Sequence, residues 1–101
     1  MERPVILSPS EIRESLKEFI NWSALDQNCL TRTFKFPDFV SALKFVNAVG
    51  EVAESQGHHP DIRLSWGKVE VRTWTHSVDG ITKKDFRLAA AIETAFESLK
   101  K

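Results

Sequence analysis

Apolar residues first fall into a helical period at Ile12, Leu16, Phe19 and Ile20, behind a start signal at Ser8-Pro9-Ser10-Glu11. Ser8 suits the N-cap and Pro9 the first helical position, and Glu11 completes a capping box three residues on. Leu7 and Ile12 bracket the cap as a hydrophobic staple, and Asn21 is the expected stop. A hairpin follows, from Trp22 to Leu25 and through the turn residues Asp26-Gln27-Asn28. Leu30, Arg32, Phe34 and Phe36 then alternate with Thr31, Thr33 and Lys35, the period of a half-buried strand.

Pro37-Asp38 opens a central helix, with proline tolerated in the first turn and the acid favoured by the helix dipole. Phe39, Leu43, Val46, Gly50 and Ala53 mark one face, and Val40, Val49 and Val52 widen it. So broad a face predicts burial against both the sheet and another helix or subunit. Gly57 stops this helix, and Pro60 cannot resume it. Beyond it, Ile62, Leu64 and Trp66 alternate on one side of a Gly67-Lys68 turn, and Val69, Val71, Thr73 and Thr75 on the other. Thr82-Lys83-Lys84-Asp85 is a second capping box, leading into Leu88, Ile92, Ala95, Phe96 and Leu99. The order α-β-β-α-β-β-α predicts an α+β fold: one domain over residues 1–101, a four-stranded antiparallel sheet, and three helices on one face. The other face carries Glu70, Arg72 and Trp74, and the open sheet edges permit oligomerisation.

Composition narrows the function classes. The 101 residues suit one ordinary domain, and 42% hydrophobic with 28% charged content is that of a globular protein. Lys+Arg 14 against Asp+Glu 14 leaves no footprint for direct contact with nucleic acid or an anionic membrane. Cys29 is the single cysteine, so no internal disulfide forms, which fits a reducing compartment. The apolar run within Met1–Leu7 is too short for a signal peptide or a membrane span, and the expected location is the cytoplasm.

All three histidines fall between Gly57 and Ser77. In an antiparallel hairpin the entrance of the first strand and the exit of the second are neighbours, so His76 is expected near His58-His59-Pro60. Imidazole is the side chain whose ordinary pKa, ~6.5, lies nearest neutrality, and such a cluster can hold base and acid together. Glu54, Asp61 and Asp85 stand close enough in this scheme to orient the rings. Plainer roles exist for each: solvated loop histidines, a solvated Glu54, and Asp85 as a helix cap. Three histidines with Asp61 could in principle ligate zinc, but adjacent histidines project apart in an extended segment, and no Cys-x-x-Cys or His-x-x-x-His pair accompanies them. Nucleophilic catalysis has no support, since Cys29 has no identifiable base, and no Gly-rich phosphate loop points to a nucleotide.

These residues resemble the pterin-4a-carbinolamine dehydratase family. The likeness runs from about Trp22 to the C-terminus and centres on Glu54-Ser55-Gln56-Gly57-His58-His59-Pro60-Asp61. Trp66, Val69, Val71, Thr75-His76, Gly80, Thr82, Asp85-Phe86 and Leu88-Ala89 then follow in order. Ser77–Ile81 departs from the small, Gly-rich run often found there, and Lys84 stands where some relatives carry arginine. The resemblance implies loss of water from a 4a-hydroxytetrahydropterin to give the quinonoid dihydropterin, which recycles the cofactor of aromatic amino acid hydroxylases. It implies His59 and His76 as acid and base, and His58 in binding or in handling the other stereoisomer. Glu54, Pro60, Asp61 and Asp85 would surround them. No metal or cofactor is implied, the pterin being the substrate. A homodimer or homotetramer is implied too. A different class is a protein-interaction module, because animal relatives serve as dimerisation cofactors of a homeodomain transcription factor; an assembly factor for another enzyme is a third.

Overall fold

The computed structural model describes residues 4–26 and 28–100. Met1–Arg3, Lys101 and the Gln27 expected in the first turn lie outside them. The order is α1 (Pro9–Leu16), β1 (Ser23–Leu25), β2 (Cys29–Lys35), α2 (Phe39–Gln56), β3 (Asp61–Ser65), β4 (Lys68–Thr73) and α3 (Lys83–Leu99). The strands form one antiparallel sheet in the order β1-β2-β4-β3, with β4 paired to both β2 and β3. This is the α+β arrangement expected, with the helices covering one face.

Helix α1 begins as its sequence dictates. The Ser8 hydroxyl accepts from the Glu11 amide at 3.2 Å, and the Glu11 carboxylate accepts from the Ser8 amide at 2.8 Å. Hydrogen bonds from the Ser8 amide and from the Ser8 side chain hold the Glu11 carboxyl below the usual range. The helix ends earlier than its apolar period suggests. Lys17, Glu18 and Phe19 each bond three residues back, so the chain tightens and leaves the helical phase. Phe19 still packs on Phe86, 5.3 Å between ring centroids, but Ile20 swings out to 83% exposure. The four-residue stripe is therefore corrected to three.

In α2 the expected face is also corrected. Asp38 is the N-cap, its carboxylate accepting from the Ser41 amide at 2.8 Å, and Pro37 stands outside the helix. The buried stripe is Ala42, Phe45, Val49 and Ala53, whereas Phe39, Val40 and Leu43 are exposed. The apolar run allowed either rotation, and Phe45 decides it. Its ring lies 4.5 Å from Phe34, 5.3 Å from Phe36 and 5.6 Å from Phe96, contacts that a smaller side chain could not make.

The second hairpin turns at Trp66-Gly67 rather than at Gly67-Lys68. Leu64 pairs with Val69 and Ser65 with Lys68, which buries Val69 and leaves a two-residue turn with Trp66 exposed. A Cβ on Gly67 would lie 2.9 Å from the Phe36 carbonyl oxygen, so only glycine fits that approach. Helix α3 keeps its capping box and buries Phe86, Leu88, Ala89 and Ile92, while Leu99 at its end is exposed.

Candidate active site

The end of α2 places the first histidine. Gly57 adopts φ 62°, a left-handed conformation open to glycine at little cost, and its amide bonds to the Glu54 carbonyl. The next amide, that of His58, reaches the Ala53 carbonyl at 3.2 Å. This pair of bonds is the Schellman closure. It anchors the backbone of His58 to the helix, so the ring starts from a fixed point.

From there His58 Nε2 lies 2.6 Å from Asp85 Oδ1. The Asp85 side chain is fully buried and that of His58 is 12% exposed. Asp85 has further partners. Its Oδ1 accepts from the Thr73 hydroxyl at 2.7 Å, and its Oδ2 accepts from the Thr75 hydroxyl and the Thr82 amide, both at 2.9 Å. Asp85 therefore closes the helix cap and holds an imidazole with one carboxylate.

The other two histidines keep different company. His59 is 61% exposed and pairs through Nε2 with Glu54 Oε2, itself 79% exposed. His76 follows the bridge between Thr75 and Gly80 and stacks on Trp74, 4.6 Å between centroids at 20°. Alternation along β4 and its extension puts Thr73 and Thr75 toward Asp85 and Trp74 the other way. The hairpin thus brings His76 within one residue of the Asp85 network. The imidazoles still form no single hydrogen-bonded cluster among the described residues: His58 answers to Asp85, His59 to Glu54, and His76 to Trp74.

Asp61 opens β3 opposite Arg72. With Pro60, Arg63, Glu70 and Arg72 it lines an open cleft of about 430 Å³ that no histidine lines. Among the described residues, no three His, Cys, Asp or Glu side chains are grouped to hold a metal ion. The residues that sequence reasoning missed are Thr73, and Thr75 as more than part of a Thr-His pair. Their signal was present: two hydroxyls at inward positions of a strand whose other inward residues are Val69 and Val71 need a buried acceptor.

The chemistry this fold offers is proton transfer by imidazole, with a carboxylate fixed behind one ring. Comparison with known proteins gives that class a family. The chain belongs to the pterin 4 alpha carbinolamine dehydratase family, whose model matches residues 5–95. It is 42% identical over 87 residues to a provisional pterin-4-alpha-carbinolamine dehydratase of Rubrobacter xylanophilus, covering 86% of this chain and 81% of that one. A provisional enzyme of the same name in Picosynechococcus is 45% identical over 87 residues, covering 86% and 94%. Among solved structures, a transcriptional coactivator/pterin dehydratase from Brucella melitensis superposes with a TM-score of 0.85 at 33% identity, covering 90% of this chain and 98% of that one. A pterin dehydratase-like RuBisCO assembly factor of the alpha-carboxysome shares the fold, with a TM-score of 0.64 at 18% identity over 74% of this chain and 88% of that one. No described helix is long and apolar enough to cross a membrane.

Proposed function

We propose that this protein dehydrates a 4a-hydroxytetrahydropterin to the quinonoid dihydropterin, using His58, His59 and His76 as its acid–base set and no metal or further cofactor. The N5 lone pair expels the 4a-hydroxyl, an imidazolium protonates it so that it leaves as water, and a neutral imidazole takes the proton the cation then loses. The observation that carries this reading is His58 held at 2.6 Å by a buried carboxylate, within a chain of this family. Glu54 pairs with His59 in the same segment, and Pro60 and Asp61 border the open cleft beside it. The setting is pterin recycling in the cytoplasm.

The test is absorbance-monitored dehydration of hydroxylase-generated 4a-hydroxytetrahydropterin, comparing wild type with His59→Ala, His76→Ala and the double variant. Each single change is expected to slow turnover roughly tenfold to a thousandfold. Folded variants that turn over at the wild-type rate would end the assignment.

A second reading, a protein-interaction module, draws on Phe39, Val40 and Leu43, which leave an apolar strip of α2 exposed. The same strip offers a homodimer or homotetramer a surface to cover. Light scattering that finds only monomer at micromolar concentration removes the oligomer.

A further inference from the structure

Thr73, Thr75 and Thr82 are all buried around Asp85, and the donors that reach this carboxylate can be counted. A carboxylate offers about four lone-pair sites, two on each oxygen. Oδ2 receives the Thr75 hydroxyl and the Thr82 amide, and Oδ1 receives the Thr73 hydroxyl and faces His58 Nε2. A proton on the carboxyl would displace one of these donors. The hydroxyl hydrogens are committed as well. Thr75 spends its single hydrogen on Asp85, so the 2.7 Å contact between Thr75 and Thr82 is donated by Thr82. The Thr82 oxygen in turn accepts the Lys84 amide at 3.1 Å. Every proton in the shell has one place.

We infer that Thr73, Thr75 and Thr82 are positioning residues for His58: by filling the rest of Asp85 they leave it only as an acceptor for a hydrogen on His58 Nε2. The neutral ring is then the Nε2–H tautomer, and its lone pair sits on Nδ1. Among the described residues that nitrogen has no hydrogen-bond partner. Arg72 Nε is the one fully buried side-chain nitrogen or oxygen without a hydrogen bond among the described residues, so Nδ1 is not sealed from solvent. Nδ1 is therefore the atom His58 offers to a substrate. The inference deepens the dehydratase reading and rests on it for the chemical step. In that step the N–H bond of the pterin cation breaks with its electron pair kept on nitrogen, and the proton forms an Nδ1–H bond. The ring returns to its neutral form when it passes that proton on to water.

The tautomer is read without any pterin, by long-range proton–nitrogen correlation on the labelled full chain at alkaline pH, where imidazoles are neutral. For His58 the expected pattern is a protonated Nε2 and a bare Nδ1. Thr73→Val and Thr75→Val keep the shape and remove the hydroxyl, and each should yield mixed tautomers; Thr73→Ser and Thr75→Ser should restore the wild-type pattern. In the dehydration assay the valine variants should lose kcat on the order of tenfold with little change in KM, and the serine variants should recover it. An Nδ1–H ring in the wild type overturns the inference, as does a pure Nε2–H ring in both valine variants. The wild-type spectrum decides the first point even if a valine variant does not fold. If the expected tautomers are found but the wild type dehydrates no pterin, the wiring stands and the functional reading falls.

Discussion

Helix α3 carries two carboxylates that reach back to the sheet, about two turns apart, and they keep different company. Asp85 is fully buried and is met by neutral hydroxyls, an amide and one imidazole. Glu93 is less enclosed and is met by the Arg32 guanidinium and by the Trp22 indole N–H at 2.8 Å. Arg32 in turn lies 4.1 Å over the Phe34 ring. Guanidinium is a permanent cation, so Glu93 has a fixed counter-ion and ties helix to sheet. The partner of Asp85 is an imidazole, the side-chain type most used to pass protons. The same helix thus carries one carboxylate suited to structure and one suited to chemistry, and their partners make the difference.

The hardest test of that contrast is Asp85→Asn. The amide nitrogen faces hydroxyl and amide donors where an acceptor stood, so a buried donor is left unmade at about 2 kcal/mol, visible in urea unfolding. The rate of dehydration should fall further, on the order of a hundredfold, because His58 loses the group that fixes its ring. An Asp85→Asn enzyme with full kcat would make Asp85 a cap like any other. Glu93→Gln is the matched control. It should cost about 1.5–3 kcal/mol of stability, the range of hydrogen bonds to charged groups, and leave kcat within about twofold. A large loss of kcat there would dissolve the distinction between the two carboxylates.

How much of this was legible in the chain follows from which signals are local. Both capping boxes, the Gly57 stop and the alternation of β2 and β4 are written within a few residues, and all are found in the structure. The rotation of α2 was not, because Phe39, Val40, Leu43, Phe45 and Val49 are all apolar, and only the distant rings of Phe34, Phe36 and Phe96 choose among them. In the site, the place of Asp85 after Thr82 announces the cap, and its nearness to the histidines in the hairpin scheme suggests an orienting role. The ring it holds belongs to His58, to which the resemblance had given only a binding or stereochemical role. The link between them spans 27 residues and runs through the folded hairpin. Nothing within a window of ten residues could have announced it.

The smallest effect is also the most selective between the two carboxylates. Cys29, half-buried at the start of β2, has its thiol pushed up chiefly by burial, with Arg72 opposing and the Asp85 charge adding to the rise. Glu93 is not among the causes. A raised folded value means the native state holds this proton more tightly than the unfolded chain does. Cys29 thus favours folding below the unfolded thiol's pKa, and the benefit fades as pH climbs through the folded one. Thiolate is the nucleophile, so iodoacetamide should react with Cys29 more slowly than with free cysteine at neutral pH, along a profile displaced to higher pH. Asp85→Asn should move that profile part of the way back, since burial remains, and Glu93→Gln should leave it in place. A profile that ignores Asp85→Asn would remove the Asp85 charge from the causes of the raised thiol and leave burial to account for it.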